Sequence, residues 1–242
     1  MRLAIISDAH ANLEALQAVV HDIERQHIKK VFFLGDAVGY GADPNKCLKL
    51  ICDLCEIKLI GNHDHVALGL ESCRDFNLMA QQSILWTQKE LKRKSIELMS
   101  DFELEASFLD YYLVHSTPEN PRDWNYLLTV EDAQRNFDCF SQTYCFVGHS
   151  HLPMIFCRKP DGTVIKLNET FYQAEPNCRY IINVGSVGQP RDGNCGACYL
   201  IAETDSNRFE YRRIRYDLEK TQEKMKKANL PEFLIDRLTN GK

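Results

Sequence analysis

Asp8, His10, Asp36, Asn62, His115, His149 and His151 are metal-ligand residue types, and they fall in five short segments. These are Asp8-Ala9-His10, Gly35-Asp36, Gly61-Asn62-His63-Asp64, His115, and Gly148-His149-Ser150-His151. Each follows a short apolar run. If the chain stays extended past the first run, residues two apart face the same way, so Asp8 and His10 reach one ion. The donors are nitrogen and oxygen with no thiolate, a set that suits Mn, Fe, Zn, Co or Ni without choosing among them. Alone, each segment has an ordinary reading: an Asp after a strand is often a turn or cap residue. Their order and repeated position set them apart. Divalent cations on such donors activate water and stabilise developing negative charge. Two aspartates with neutral His and Asn would leave bound cations a positive surplus for an anionic ligand.

The elements that must position these residues are legible from periodicity. Residues 3–7 read as a buried strand. Residues 12–27 place Leu13, Leu16, Val19, Val20 and Ile23 on one helix face. Residues 31–34 and 57–60 read as strands, with a helix between them opened by Asp43 as cap and Pro44 at its first position. This β-α-β-α-β rhythm predicts largely parallel strands covered by helices. Residues 75–101 and 130–140 read as helical and 111–114 as a strand. From Thr143 the pattern turns mostly β, with Asp161-Gly162 as a hairpin signal. The tail, 218–238, reads as helix interrupted at Pro231. In open α/β sheets ligands bind beyond the carboxyl ends of strands, where all five segments fall.

Composition narrows the class. The chain has 242 residues, 44% hydrophobic and 26% charged, which fits one folded domain and argues against disorder. A net charge of −5 lacks the basic excess of proteins that grip extended nucleic acid. No apolar run approaches the ~18–20 residues that span a bilayer. The run at the N-terminus is too short for a signal-peptide core, so a cytoplasmic protein with reduced cysteines is expected. Cys52/Cys55 and Cys195/Cys198 are Cys-x-x-Cys pairs, but they lie far apart in apolar segments and read as small core side chains. His21 and His27 belong to the first helix. His65 lies one step past the third segment and is a weaker site candidate.

In order and spacing, the five segments resemble the calcineurin-like metallophosphoesterase superfamily: Asp-x-His, Gly-Asp, Gly-Asn-His-Asp, a lone His, and Gly-His-x-His. Residues 7–16, 35–45, 183–192 and the tail around 231–237 are similar to its bacterial and archaeal phosphodiesterase branch. The resemblance implies a four-layer α/β/β/α sandwich of two mixed sheets flanked by helices, with residues 1–242 as one domain. It implies one cation on Asp8, His10, Asp36 and His151, and a second on Asp36, Asn62, His115 and His149, with Asp36 bridging. Manganese is the first expectation, with Fe, Zn, Ni, Co or Mg as alternatives. His63 is implied as a non-ligand that contacts the scissile phosphate and assists the leaving group. Protein phosphatases of the superfamily continue Gly-Asp with a further Asp-Arg-Gly. Here Ala37-Val38-Gly39-Tyr40-Gly41 stands instead, removing the Asp that orients the histidine and an Arg that binds phosphoryl. Asp64 becomes the candidate to orient His63. Arg122, Trp124 and Tyr126 follow His115 and read either as a substrate pocket or as a packed loop. Asn12 and Tyr40 join them as candidate substrate contacts. The expected activity is hydrolysis of small, nucleotide-like phosphodiesters. Alternatives are a phosphomonoesterase or nucleoside-polyphosphate hydrolase and, in another class, a metal-binding scaffold.

Overall fold

A computed structural model describes all residues, 1–242. Its elements run β1 (Arg2–Ile6), α1 (Leu13–Arg25), β2 (Lys30–Phe33), α2 (Pro44–Leu54), β3 (Ile57–Lys58), α3 (Asn62–Ala67), α4 (Leu78–Glu90), α5 (Arg93–Ser100), β4 (Glu105–Phe108) and β5 (Tyr111–Val114). They continue with α6 (Val130–Asn136), β6 (Tyr144–Val147), β7 (Met154–Arg158), β8 (Val164–Leu167), β9 (Phe171–Gln173), β10 (Arg179–Asn183), β11 (Ala197–Glu203), β12 (Arg208–Ile214), α7 (Leu218–Lys227) and α8 (Glu232–Asn240).

The strands form two six-stranded sheets, ordered β3-β2-β1-β11-β12-β9 and β4-β5-β6-β10-β7-β8. Both are mixed. In the first, β1, β2 and β3 are parallel and β11 joins β1 antiparallel. In the second, β5, β6 and β10 are parallel and β7 joins β10 antiparallel. Each sheet therefore has a parallel trio whose carboxyl ends lie at one edge.

Alternation along the strands builds the layers. Leu3 and Ile5 of β1 point into a core shared with Phe32, Leu113, Phe146, Tyr180 and Phe209. The Phe146 and Phe209 rings, one from each sheet, lie 5.9 Å apart there. Ala4 and Ile6 point the other way, onto Leu16, Val19 and Ile23 of α1 and Leu48 and Ile51 of α2. On the far side Val114, Cys145 and Val147 pack against Ala133 of α6 and Phe137. This is the expected helix-sheet-sheet-helix sandwich. Burying each Leu, Ile, Val or Phe among these contributes roughly 1.5–3 kcal/mol.

Several boundaries differ from expectation. The helical stretch 75–101 breaks into α4 and α5 because Leu91 and Lys92 turn extended. The strands β4 and β9, outside the expected set, are only four and three residues long and are held by antiparallel partners, β5 and β12. Asp43 makes no side-chain cap for α2. Its carboxylate takes Lys46 and Lys224 instead, at 2.8 and 2.5 Å. All ten cysteines are free thiols, including both Cys-x-x-Cys pairs. No helix is long and apolar enough to cross a membrane.

Candidate metal centre and substrate pocket

Six strand ends converge. Asp8 follows β1, Asp36 follows β2, Asn62 opens α3 after β3, His115 follows β5, and His149 and His151 follow β6. The loop after β10 closes the sixth side. Main-chain bonds lace these loops together. Asp8 N donates to Gly35 O at 2.9 Å, His10 N to Asp36 O at 3.0 Å, and Gly188 N to Asp8 O at 2.8 Å.

The loops are not extended as the Asp-x-His spacing suggested. Asp8, His10, Asp36, His149 and His151 all have left-handed φ, between 46° and 63°. That conformation costs a non-glycine residue about 1–2 kcal/mol and gathers where surrounding structure enforces it. In both x-spaced pairs the same alternation repeats, so Asp8 with His10, and His149 with His151, still converge.

None of the seven candidate ligands is more than 6% exposed. Three groups place their donor atoms within 4.8 Å of one another: Asp8, His10 and His151; His10, Asp36 and His63; Asp36, His115 and His149. Asp36 Oδ2 lies 3.6 Å from His10 Nε2 and 3.4 Å from His115 Nε2, between two triads. Asn62 lines the cavity beside His149.

Backbone carbonyls set which nitrogen each ring presents. His10 Nδ1 donates to Val38 O at 3.0 Å, His115 Nδ1 to Leu34 O at 2.8 Å, and His151 Nδ1 to Gln189 O at 2.6 Å. Their Nε2 lone pairs therefore face inward. His149 is reversed: its Nε2 donates to Trp124 O at 2.8 Å, leaving Nδ1 to the centre. His10 Nε2 and His151 Nε2 then meet at 3.1 Å with two lone pairs and no proton between them. Asp8 Oδ1 and Asn62 Oδ1 are buried without any hydrogen-bond partner. Orphaned acceptors converging in this way are costly unless a cation satisfies them. The donor set fits divalent ions.

Charge follows burial. Burial pulls His10 and His151 below the ordinary histidine range, His63 to about 4 and His149 to about 3, so these imidazoles stay neutral and able to ligate. Burial would lower His115 too, but Asp36 beside it outweighs this and raises it to about 9. Burial would raise Asp8 and Asp36. His151 beside Asp8 and His115 beside Asp36 more than offset it, and both carboxyls sit below the usual range.

His63 stands at the edge of this group. Its ring packs 4.9 Å from His10, 4.5 Å from Tyr40 and 4.6 Å from Phe76, and its Nδ1 has no partner. Gly39 has φ +86° and lies under the ring; a Cβ there would come within 2.4 Å of Nδ1. Asp64 does not orient the His63 ring, contrary to expectation. Its two oxygens accept from Ala37 N, Val38 N and Gly61 N at 3.1–3.2 Å, clamping the loop after β2 to the start of α3. Burial, then the charge of Asp36, pushes its carboxyl up to about 7.

A cavity of about 370 Å³ opens beside Asn62 and His149, walled by Phe76, Arg122, Trp124 and Tyr126, with Glu71 and Asp75 at its rim. Arg122 and Trp124 thus line the cavity that opens beside the candidate ligands. Trp124 is also structural, its Nε1 donating to Glu71 Oε2 at 2.9 Å. Tyr126 stacks on His149 with ring centroids 4.3 Å apart. His65 Nδ1 lies 3.3 Å from Glu71 Oε1, outside the three groups. Tyr40 is a buried wall, its ring 4.5 Å from both His10 and His63.

Asn12 is a correction. It is buried and engaged in the fold: Oδ1 caps α1 through Ala15 N at 3.2 Å and accepts from Thr221 Oγ1 at 3.1 Å, and Nδ2 donates to Gly188 O at 2.9 Å. It is 2% exposed and does not line the cavity beside His149. Residues 183–192 contact the candidate site in ways that composition did not reveal. Ser186 Oγ holds Asp8 O at 3.0 Å, Gln189 holds His151, and Arg191 faces Tyr40. The only signal for them was the shared stretch itself, read as a block.

Residues 1–207 match the model of the calcineurin-like phosphoesterase superfamily domain. The chain is 41% identical over 246 residues to an uncharacterized protein of Methanocaldococcus jannaschii, covering 99% of this chain and 98% of that one. It superposes on a metallophosphoesterase from Sphaerobacter thermophilus with TM-score 0.88 and 37% identity, covering 100% and 99% of the two chains. A hypothetical protein from Pyrococcus horikoshii shares the fold at TM-score 0.80 and 16% identity, over 100% of this chain and 98% of that one.

Proposed function

We propose, from the premise that the chain belongs to the calcineurin-like phosphoesterase superfamily and is a hydrolase of phosphoester bonds, that it is a phosphodiesterase for small, nucleotide-sized substrates using two divalent cations. The observation that carries this is Asp36 Oδ2, set between His10 Nε2 at 3.6 Å and His115 Nε2 at 3.4 Å. A carboxylate so placed can serve two ions at once. Asp8, His10, Asp36 and His151 would hold one; Asp36, Asn62, His115 and His149 would hold the other. When bound, the ions supply Lewis-acid charge stabilisation and activation of water.

The chain's own groups do the rest. His63, with its ring nitrogens in no hydrogen bond, contacts the phosphate and passes a proton to the leaving oxygen. An anionic substrate raises its proton affinity, opposing the burial that lowers it. Trp124, Tyr126 and Arg122 bound the cavity that takes one ester substituent. Diester preference is supported by the segment after Asp36. Ala37 and Val38 are fully buried and their N–H groups are spent on Asp64, so this segment offers no side chain to a monoester dianion.

Manganese is the first metal to supply, with Fe, Zn, Ni, Co and Mg as the comparison set. The partner is a small phosphoester, not extended nucleic acid. The ten free thiols support a cytoplasmic setting. We also read residues 1–242 as one domain, since Met225 and Leu238 beyond the matched region share a core with Tyr40.

The test is a panel of bis(p-nitrophenyl) phosphate, p-nitrophenyl phosphate and nucleoside polyphosphates on protein reconstituted with each metal. The diester should turn over fastest with manganese. No turnover of any ester with any metal would sink the proposal, and preference for the monoester or polyphosphates would replace the diesterase reading.

A further inference from the structure

The loop after β10 presents one cation to the site that no described contact neutralises. Arg191 N donates to His151 O at 3.3 Å, which fixes the residue against a candidate ligand. Its Nη2 donates to Gln189 Oε1 at 3.2 Å and to the Tyr40 hydroxyl at 3.4 Å. The guanidinium lies 5.9 Å from the centroid of the Tyr40 ring, whose other neighbours are His10 and His63, both at 4.5 Å. Arg191 Nε is buried and has no partner. Gln189, only 1% exposed, likewise leaves its Nε2 without one. Asp192, the adjacent carboxylate, is paired with Arg213 instead.

A structural arginine this close to a core is normally matched by a carboxylate or by carbonyls on all its inward donors. Here two buried donors, Arg191 Nε and Gln189 Nε2, have no hydrogen-bond partner. An anion completes the arrangement, and a guanidinium matches phosphoryl oxygens in planar, paired geometry.

We propose that Arg191 binds a non-bridging oxygen of the substrate phosphoryl group, held in place by Gln189 and Tyr40. It would fill, from the second sheet, the role that Ala37-Val38-Gly39 leaves vacant beside Asp36. This rests on the phosphoesterase reading of the site. It makes Arg191 a substrate contact, Tyr40 and Gln189 its positioning residues, and the loop 183–192 a part of the site as well as its scaffold.

The experiment compares zinc-loaded wild type with Arg191→Ala and Arg191→Gln, measuring metal content, orthophosphate affinity by calorimetry, and kcat and KM for bis(p-nitrophenyl) phosphate. Both neutral variants should keep wild-type metal content, bind orthophosphate at least about tenfold more weakly, and lose kcat/KM by a similar factor. Added guanidinium ion should restore part of the activity of Arg191→Ala. If either variant folds with wild-type metal content and binds orthophosphate as tightly as wild type, the assignment is overturned. Phosphate affinity is read without turnover. A protein that binds phosphate through Arg191 but cleaves no ester therefore rejects the enzymatic reading and not this one.

Discussion

Gly61 lies against Asp36 so closely that a Cβ on Gly61 would fall 2.1 Å from Asp36 Oδ1 and 2.5 Å from Asp36 N. Asp36 is the carboxylate between the two triads, so its position depends on a side chain that Gly61 does not have. Gly61→Ala should lower stability by about 1–3 kcal/mol through overpacking and reduce metal content together with activity. Thermal denaturation and metal analysis on the same sample check this; full metal content with normal stability would refute it.

His63 is placed within reach of His10 and Asp36 but is read as a phosphate contact. His63→Ala should retain wild-type metal content and lose most of its turnover, on the order of 10²-fold or more. Metal analysis beside steady-state kinetics separates the roles. Loss of a metal equivalent would make His63 a ligand, and unchanged kcat would remove it from the reaction.

Asn12 caps α1 and ties it to Gly188 and Thr221. Asn12→Ala should therefore cost about 1–2 kcal/mol in urea denaturation, with KM little changed. A raised KM at unchanged stability would return Asn12 to the substrate contacts.

Tyr126 stacks on His149 and is 50% exposed at the mouth of the cavity. Tyr126→Ala should raise KM for aryl or nucleoside esters several-fold, as loss of one stacking surface worth about 1–3 kcal/mol implies, and leave metal content intact. An unchanged KM for both ester types would assign the tyrosine to packing alone.

Asp22 of α1 meets Arg212 of β12 through both oxygens at 3.2 Å and the Tyr199 hydroxyl of β11 at 2.7 Å. Burial would raise this carboxyl, but those hydrogen bonds more than offset it and hold its pKa below the usual value. A carboxyl depressed in the folded state stabilises at pH above its unfolded pKa of about 4 and loses that contribution as pH falls through the folded value. Asp22→Asn should cost about 1–3 kcal/mol at pH 7, and its stability gap from wild type should shrink below pH 4. A gap constant from pH 7 to pH 2.5 would show that the pair adds nothing through its charge.

The donor types and their order were legible without coordinates. Asp8, Asp36, Asn62, His115, His149 and His151 each stand just past an apolar run, and parallel strands carry such positions to one edge. The layers were legible for a similar reason: strand alternation and the helix face of 13–23 are local patterns. The family resemblance supplied the pairing of donors into two sets; the structure gathers Asp8, His10 and His151 in one group and Asp36, His115 and His149 in another.

Tertiary structure decided what local pattern cannot hold. Which nitrogen His149 offers depends on the carbonyl of Trp124, 25 residues away in sequence. Asp64 looked like a partner for its neighbour His63, yet it clamps Ala37 and Val38, 27 and 26 residues back. Asn12 looked available until Gly188 and Thr221 took its amide. Arg191 was one letter in a shared block until the fold set it against Tyr40 and left its Nε unpaired. Sequence determines which groups the chain owns and the periodicity that places them at strand ends. Only the packed fold determines which of their hydrogen-bonding atoms are already spent, because those partners come from segments that meet only once both sheets close.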